Sequence, residues 1–104
     1  MQRVAFKMKL FKGCEAEYQR RHAQLWPELK QLLKQAKVKH YSIFLDEQTN
    51  TLFGYLTTEN LTDLDNLKDD PIMQKWWTFM NDIMETNDDH SPITIHLKEV
   101  FYLP

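Results

Sequence analysis

Four histidines, four tyrosines and three tryptophans are the residues of this 104-residue chain best suited to chemistry. His22 stands apart from the other histidines. It follows Tyr18 by one helical turn and precedes Leu25 and Trp26 by another, within a run whose apolar residues recur every three or four positions. An imidazole titrates at about pH 6.5, so one placed against an apolar surface can give or take a proton near neutrality. The competing role for His22 is a core histidine held by hydrogen bonds. His40 and His96 fall at or in predicted strands and His90 in a polar loop, where structural or solvated roles are expected.

The aromatic residues point to the kind of molecule on which such a proton would be moved. Trp76 and Trp77 are adjacent, and consecutive helical residues point about 100° apart, so both cannot fill one core position. At least one should face a cavity, a rim or a partner. A flat ring with a polar edge suits a sugar, whose C–H face stacks while its hydroxyls seek hydrogen bonds. Packing at a dimer interface would use the same residues. Arg20-Arg21 beside His22 reads as an anion site or, more simply, a solvated helix face. The acidic residues Asp63, Asp65, Asp69, Asp70, Asp88 and Asp89 lack calcium-loop spacing and read as caps and surface charge. Cys14 has no nearby base to activate it.

Composition removes several other chemistries. Thirteen Lys and Arg against fifteen Asp and Glu give a net charge of −2, without the basic excess of a nucleic-acid binder. Two glycines allow neither a dinucleotide-binding fingerprint nor a phosphate loop. One cysteine forms no internal disulfide, and no Cys/His spacing resembles a metal site. No apolar run reaches the roughly 20 residues of a membrane span. The lysine-interrupted start is unlike a signal peptide, so a reduced cytoplasmic setting is the default expectation.

The elements that must position these residues follow from periodicity. Val4, Phe6, Met8 and Leu10 alternate with Arg3, Lys7 and Lys9, predicting a strand over 3–10. From Cys14 to Ala36 the period becomes helical, and Pro27 predicts a kink or break near Trp26. Strands are expected over 41–46 and 52–58, joined by a short connection at 46–50. Asn60 should cap a helix over 61–68, and Asp70-Pro71 should start another carrying Ile72, Trp76, Phe79 or Met80, and Ile83 on its stripe. A polar turn at 86–92 and a last strand over 93–102 complete the chain. The order β-α-β-β-α-β is that of an α+β, ferredoxin-like single domain over 1–104, a four-stranded antiparallel sheet with both helices on one face. Phe53 and Tyr55 oppose Leu52 and Leu56, so the sheet is apolar on both sides and predicts a homodimer packed sheet to sheet. Tyr18 and His22 share a helix face, Tyr41 begins the adjacent strand, and the tryptophans come from the other helix. They should converge between helices and sheet.

Tyr18-Gln19-Arg20-Arg21-His22, then Trp26-Pro27-Glu28-Leu29, then Tyr41-Ser42-Ile43-Phe44-Leu45-Asp46, then Gln74-Lys75-Trp76-Trp77, and finally Glu99-Val100-Phe101-Tyr102-Leu103-Pro104, occur in this order across the chain. Together they resemble the L-rhamnose mutarotase family. The resemblance implies a cytoplasmic, cofactor-free dimeric α+β barrel that interconverts the α and β anomers of L-rhamnose, with no metal. It also implies His22 as proton donor and Tyr18, Tyr41, Trp76 and Trp77 as sugar contacts. One departure is Asp88, where the family pattern leads one to expect proline after Asn87. At the level of fold alone, cofactor-free or haem-binding ferredoxin-like monooxygenases are the alternative, since they also use a helix histidine and pocket aromatics.

Overall fold

A computed structural model describes residues 1–104. Strand β1 (Gln2–Lys9) is followed by helices α1 (Glu15–Ala23) and α2 (Pro27–Gln35), then by β2 (Val38–Asp46) and β3 (Thr51–Thr58). Helices α3 (Leu61–Asn66) and α4 (Pro71–Met80) and the short β4 (Ile95–Leu97) complete it. The four strands form one antiparallel sheet in the order β2-β3-β1-β4.

Local chemistry accounts for most of the boundaries. Gly13, at φ +88°, takes the left-handed conformation that ends the β1 connection and admits α1. The expected break falls where proline dictates: Trp26 is extended, and Pro27 opens α2 at the position where its missing N–H costs no helical bond. Asn60 caps α3 by accepting from the N–H groups of Thr62 and Asp63, and Asp70 caps α4 by accepting from that of Ile72. The helix expected over 61–68 tightens into a 3-10 turn at Leu67–Asp69, which lets the chain reverse before the Asp70 cap.

Two expectations are corrected. The last strand does not run over 93–102: only Ile95–Leu97 pair, with Lys7, Phe6 and Ala5 of β1. It is an edge strand with a partner on one side, and beyond Leu97 side chains replace the ladder. Arg3 holds Glu99 at 2.6 and 3.1 Å and lies over the Tyr102 ring at 3.5 Å. The buried stripe of α4 is also turned slightly from its expected centre. Met73, Trp76 and Met80 are buried and Phe79 is exposed, while Ile83 and Met84 are buried after the helix has ended.

Register separates the two faces of the sheet. Ile43, Gly54, Phe6 and His96 make one cross-strand row on the helix side, and Leu45, Leu52 and Met8 make another. The core lies on this side, where Met8, Leu10, Leu52 and Leu56 meet Leu29, Met73, Trp76 and Met80. The opposite face carries the rows Phe44-Phe53-Lys7-Ile95 and Ser42-Tyr55-Ala5-Leu97. Phe44, Phe53, Tyr55, Ile95 and Leu97 are all exposed there.

Candidate active site

Between the helices and the sheet lies a cavity of about 760 Å³ lined mainly by apolar side chains. Tyr18, His22, Tyr41, Trp76 and Trp77 all face it. The first two come from α1, where a separation of four residues places them one above the other. Their rings are tilted against each other at a centroid distance of 4.3 Å, and the Trp76 and His22 rings form a T-shaped pair with centroids 5.4 Å apart. Trp77, the next residue on α4, is half-buried and covers another part of the wall.

Tyr41 reaches the cavity through an irregularity in β2. Lys39 pairs with Thr57 and Ser42 with Tyr55, so His40 and Tyr41 together face the single residue Leu56. This is a β-bulge, with His40 at φ +53° supplying the left-handed turn. Val38 and Tyr41 are three residues apart and would point to opposite faces of a regular strand. The extra residue lets both point inward, Val38 into the core and Tyr41 into the cavity. The Tyr41 ring meets Phe6 edge-on at 6.3 Å, and Phe6 in turn lies directly on Gly54, where an added Cβ would come within 2.4 Å of its ring.

Hydrogen bonding sets the protonation of His22. Its Nδ1 lies 3.0 Å from the Tyr18 carbonyl oxygen, which can only accept, so Nδ1 carries the hydrogen. Nε2 is the nitrogen left to titrate. Burial pushes the imidazole below its ordinary pKa, against a weaker opposing pull from the Tyr18 carbonyl. The resting ring is therefore neutral, with an acceptor at Nε2. Burial raises the Tyr18 phenol well out of the ordinary range, and partial desolvation at the cavity wall raises that of Tyr41, which is 41% exposed. Both are hydroxyl donors at every physiological pH. Glu15, Gln19 and Glu47 line the same cavity, and half-buried Glu15 is held below the usual carboxylate range chiefly by its own backbone N–H.

Several residues belong elsewhere. Trp26 packs behind the cavity, edge-on to Trp76 at 5.1 Å and against Phe79 at 5.6 Å. His90 is bonded to Thr78 at 3.1 Å, and His40 serves the bulge. The solvated-face reading of Arg20-Arg21 holds for Arg20 and fails for Arg21, whose side chain is only 9% exposed. Doublet spacing carries no signal for this, because the acceptors that turn it inward, Phe79 and Asp82, lie 58 and 61 residues away. Glu15, Gln19 and Glu47 also escaped the sequence reading, since their positions suit ordinary surface charge. No three His, Cys, Asp or Glu side chains gather in a metal-binding arrangement.

Comparison with known proteins identifies the family. A family model described as L-rhamnose mutarotase matches residues 3–103. L-rhamnose mutarotases from Formosa agariphila and Brucella anthropi are 54% and 52% identical to the chain over 103 residues; these cover 99% of the chain in both cases, and 99% and 97% of the relatives. One from Bacteroides thetaiotaomicron is 52% identical, with 99% of each chain covered. A crystal structure of the Formosa agariphila L-rhamnose mutarotase superposes with a TM-score of 0.94 at 53% identity, covering all of both chains. A match that runs from the first strand to the C-terminal segment, in sequence and in fold alike, makes this chain a member of the L-rhamnose mutarotase family.

Proposed function

We propose that the chain is an isomerase that interconverts the α and β anomers of L-rhamnose. The observation that carries this reading is a neutral histidine, two protonated phenols and two indoles lining one apolar cavity in a member of this family. Anomers exchange by opening the pyranose and reclosing it on the other face of the carbonyl. Opening removes the proton of the anomeric hydroxyl and adds one to the ring oxygen. His22 Nε2, the free acceptor, takes the first proton. A phenol, of Tyr18 or Tyr41, supplies the second, directly or through water. The open aldehyde turns about one carbon–carbon bond; on closure the phenolate takes back the proton of the ring-forming hydroxyl, and the imidazolium returns its proton to the new anomeric oxygen. The resemblance implies His22 as proton donor; with Nδ1–H committed to the Tyr18 carbonyl, its role is revised to acceptor on opening and donor on closing. The chemistry asks for no redox step and no covalent intermediate.

Trp76 and Trp77 supply flat apolar surface for the C–H faces of the sugar. The aliphatic walls suit the methyl group of a 6-deoxy sugar, a preference worth about 10–200-fold for one methyl. Family membership favours this isomerase over the monooxygenase alternative. The strand order supports a ferredoxin-like arrangement, and the exposed apolar row on the outer face supports a homodimeric α+β barrel. No helix is long and apolar enough to cross a membrane, and the single free cysteine suits a cytoplasmic setting. Polarimetry on freshly dissolved L-rhamnose tests the reading: the approach to the equilibrium rotation should quicken in proportion to added protein. A rate equal to that of buffer would exclude it.

A further inference from the structure

Helix α1 carries Tyr18 and His22, and of its residues only Tyr18 is buried in the core. Nine residues are too few for an isolated helix to persist in water, and Cys14 offers it no side-chain cap. The hydrogen bonds that tie α1 to α4 and its end all come from Arg21. Its Nη1 donates to the Phe79 carbonyl at 2.7 Å and to Asp82 Oδ1 at 2.9 Å, and its Nη2 donates to Asp82 Oδ2 at 3.2 Å. Nε is occupied by Glu17 Oε2 at 2.7 Å, so the guanidinium is held from both sides. The Phe79 carbonyl belongs to the last turn of α4, which has no helical donor to satisfy it and favours a cation.

The same guanidinium lies over the Phe79 ring, 4.4 Å from its centroid. Phe79 packs on Trp76 at 5.7 Å, and Trp76 meets His22 at 5.4 Å. These contacts close a circuit that leaves α1 at Arg21 and returns to it at the very next residue. We infer that Arg21 is a positioning residue for the acid–base chemistry: by clamping α1 to the end of α4 it keeps His22 in register with Trp76 at the cavity wall. The inference rests on the role proposed for His22 above. Lysine would not replace it, because a single ammonium lacks the planar fork that reaches Glu17, Phe79 and Asp82 together.

The groups around His22 are Tyr18 on its own helix, Trp76 on α4, Tyr41 across the cavity on β2, and the Glu15 and Glu47 carboxylates that share the cavity lining. The Arg21 charge is turned toward Glu17 and Asp82 instead. Its removal therefore acts on His22 through placement and hydration. A displaced, wetter imidazole should titrate closer to its ordinary value.

The test compares Arg21→Lys and Arg21→Met with Arg20→Met, since Arg20 also pairs with Glu17 but makes no bond to α4. Anomer exchange of L-rhamnose by NMR, a direct titration of His22 by NMR, and circular dichroism are read on each. We expect both Arg21 variants to stay folded and to lose about tenfold or more in exchange rate at saturating sugar. Half-saturation should move less than about threefold, and the His22 midpoint should rise, while Arg20→Met matches the unsubstituted protein. Folded Arg21 variants that keep the exchange rate, or that change half-saturation alone, would overturn the inference. So would an unmoved His22 midpoint. If Arg21→Met unfolds, the charge-retaining Arg21→Lys decides on the same readouts. If the unsubstituted protein fails to speed exchange, the functional reading falls, and the His22 midpoint still decides the role of Arg21.

Discussion

His22 is constrained twice, by a backbone carbonyl that fixes its tautomer and by burial that keeps it neutral. The sign of its pH dependence follows. A group that acts as a neutral acceptor loses activity as pH falls through its lowered pKa, and activity should be level from neutrality upward while the phenols stay protonated. The same lowered pKa means that the unfolded chain binds a proton more readily than the folded one. Stability should therefore decline as pH drops below the ordinary imidazole value of 6.5 and hold steady above it, which thermal melts across that range would show. His22→Ala should leave the melt cooperative while slowing exchange by about 10²–10⁴-fold. Trp77→Ala, on a half-buried wall residue, should raise half-saturation more than it lowers the limiting rate. Isothermal titration with L-rhamnose checks the first part of that expectation.

At the scale of elements, the bulge in β2 and the bare Cα of Gly54 shape the sheet side of the cavity. Gly54→Ala places a methyl inside the Phe6 ring, so the ring must swing toward Tyr41 or the strands must part. Overpacking of this kind costs about 1–3 kcal/mol, and a chemical denaturation curve should show it together with slower exchange. Asn60→Ala removes a cap accepting two backbone bonds and should cost about 1 kcal/mol without touching exchange, because α3 lines no part of the cavity. These elements also show what sequence can convey. Asn60, Asp70-Pro71 and Pro27 act within a few residues of themselves, so caps and the α1–α2 break were legible. The inward face of Tyr41 was legible from its alternation with Ile43 and Leu45. The bulge that makes this compatible with an inward Val38 was not, because His40 carries no glycine to mark the left-handed turn. The shortened β4 was hidden for a related reason. Glu99 to Tyr102 read as strand, yet their hold on the sheet comes from the Arg3 side chain 96 residues away.

For the whole molecule, the outer sheet face is the feature that a single copy leaves exposed. Phe44 is 66% exposed and Ile95 55%, beside a C-terminal segment in which Val100 is 88% and Phe101 76% exposed. Apolar surface of this extent supports the proposed sheet-to-sheet homodimer. Phe44→Asp should shift the protein toward monomer in sedimentation equilibrium, whereas a monomer before substitution would refute that assembly. The pairing of cavity and family leads to one central claim: Nε2 of a neutral, half-buried His22 moves the proton by which a rhamnose anomer opens. Exchange-spectroscopy NMR of equilibrated L-rhamnose, recorded from acid to neutral pH with the unsubstituted protein and with His22→Ala, tests it most directly. The account predicts a protein-dependent exchange rate that falls on acidification along the His22 titration and nearly vanishes in the variant. A rate that rises on acidification, or that survives the loss of His22, would contradict it.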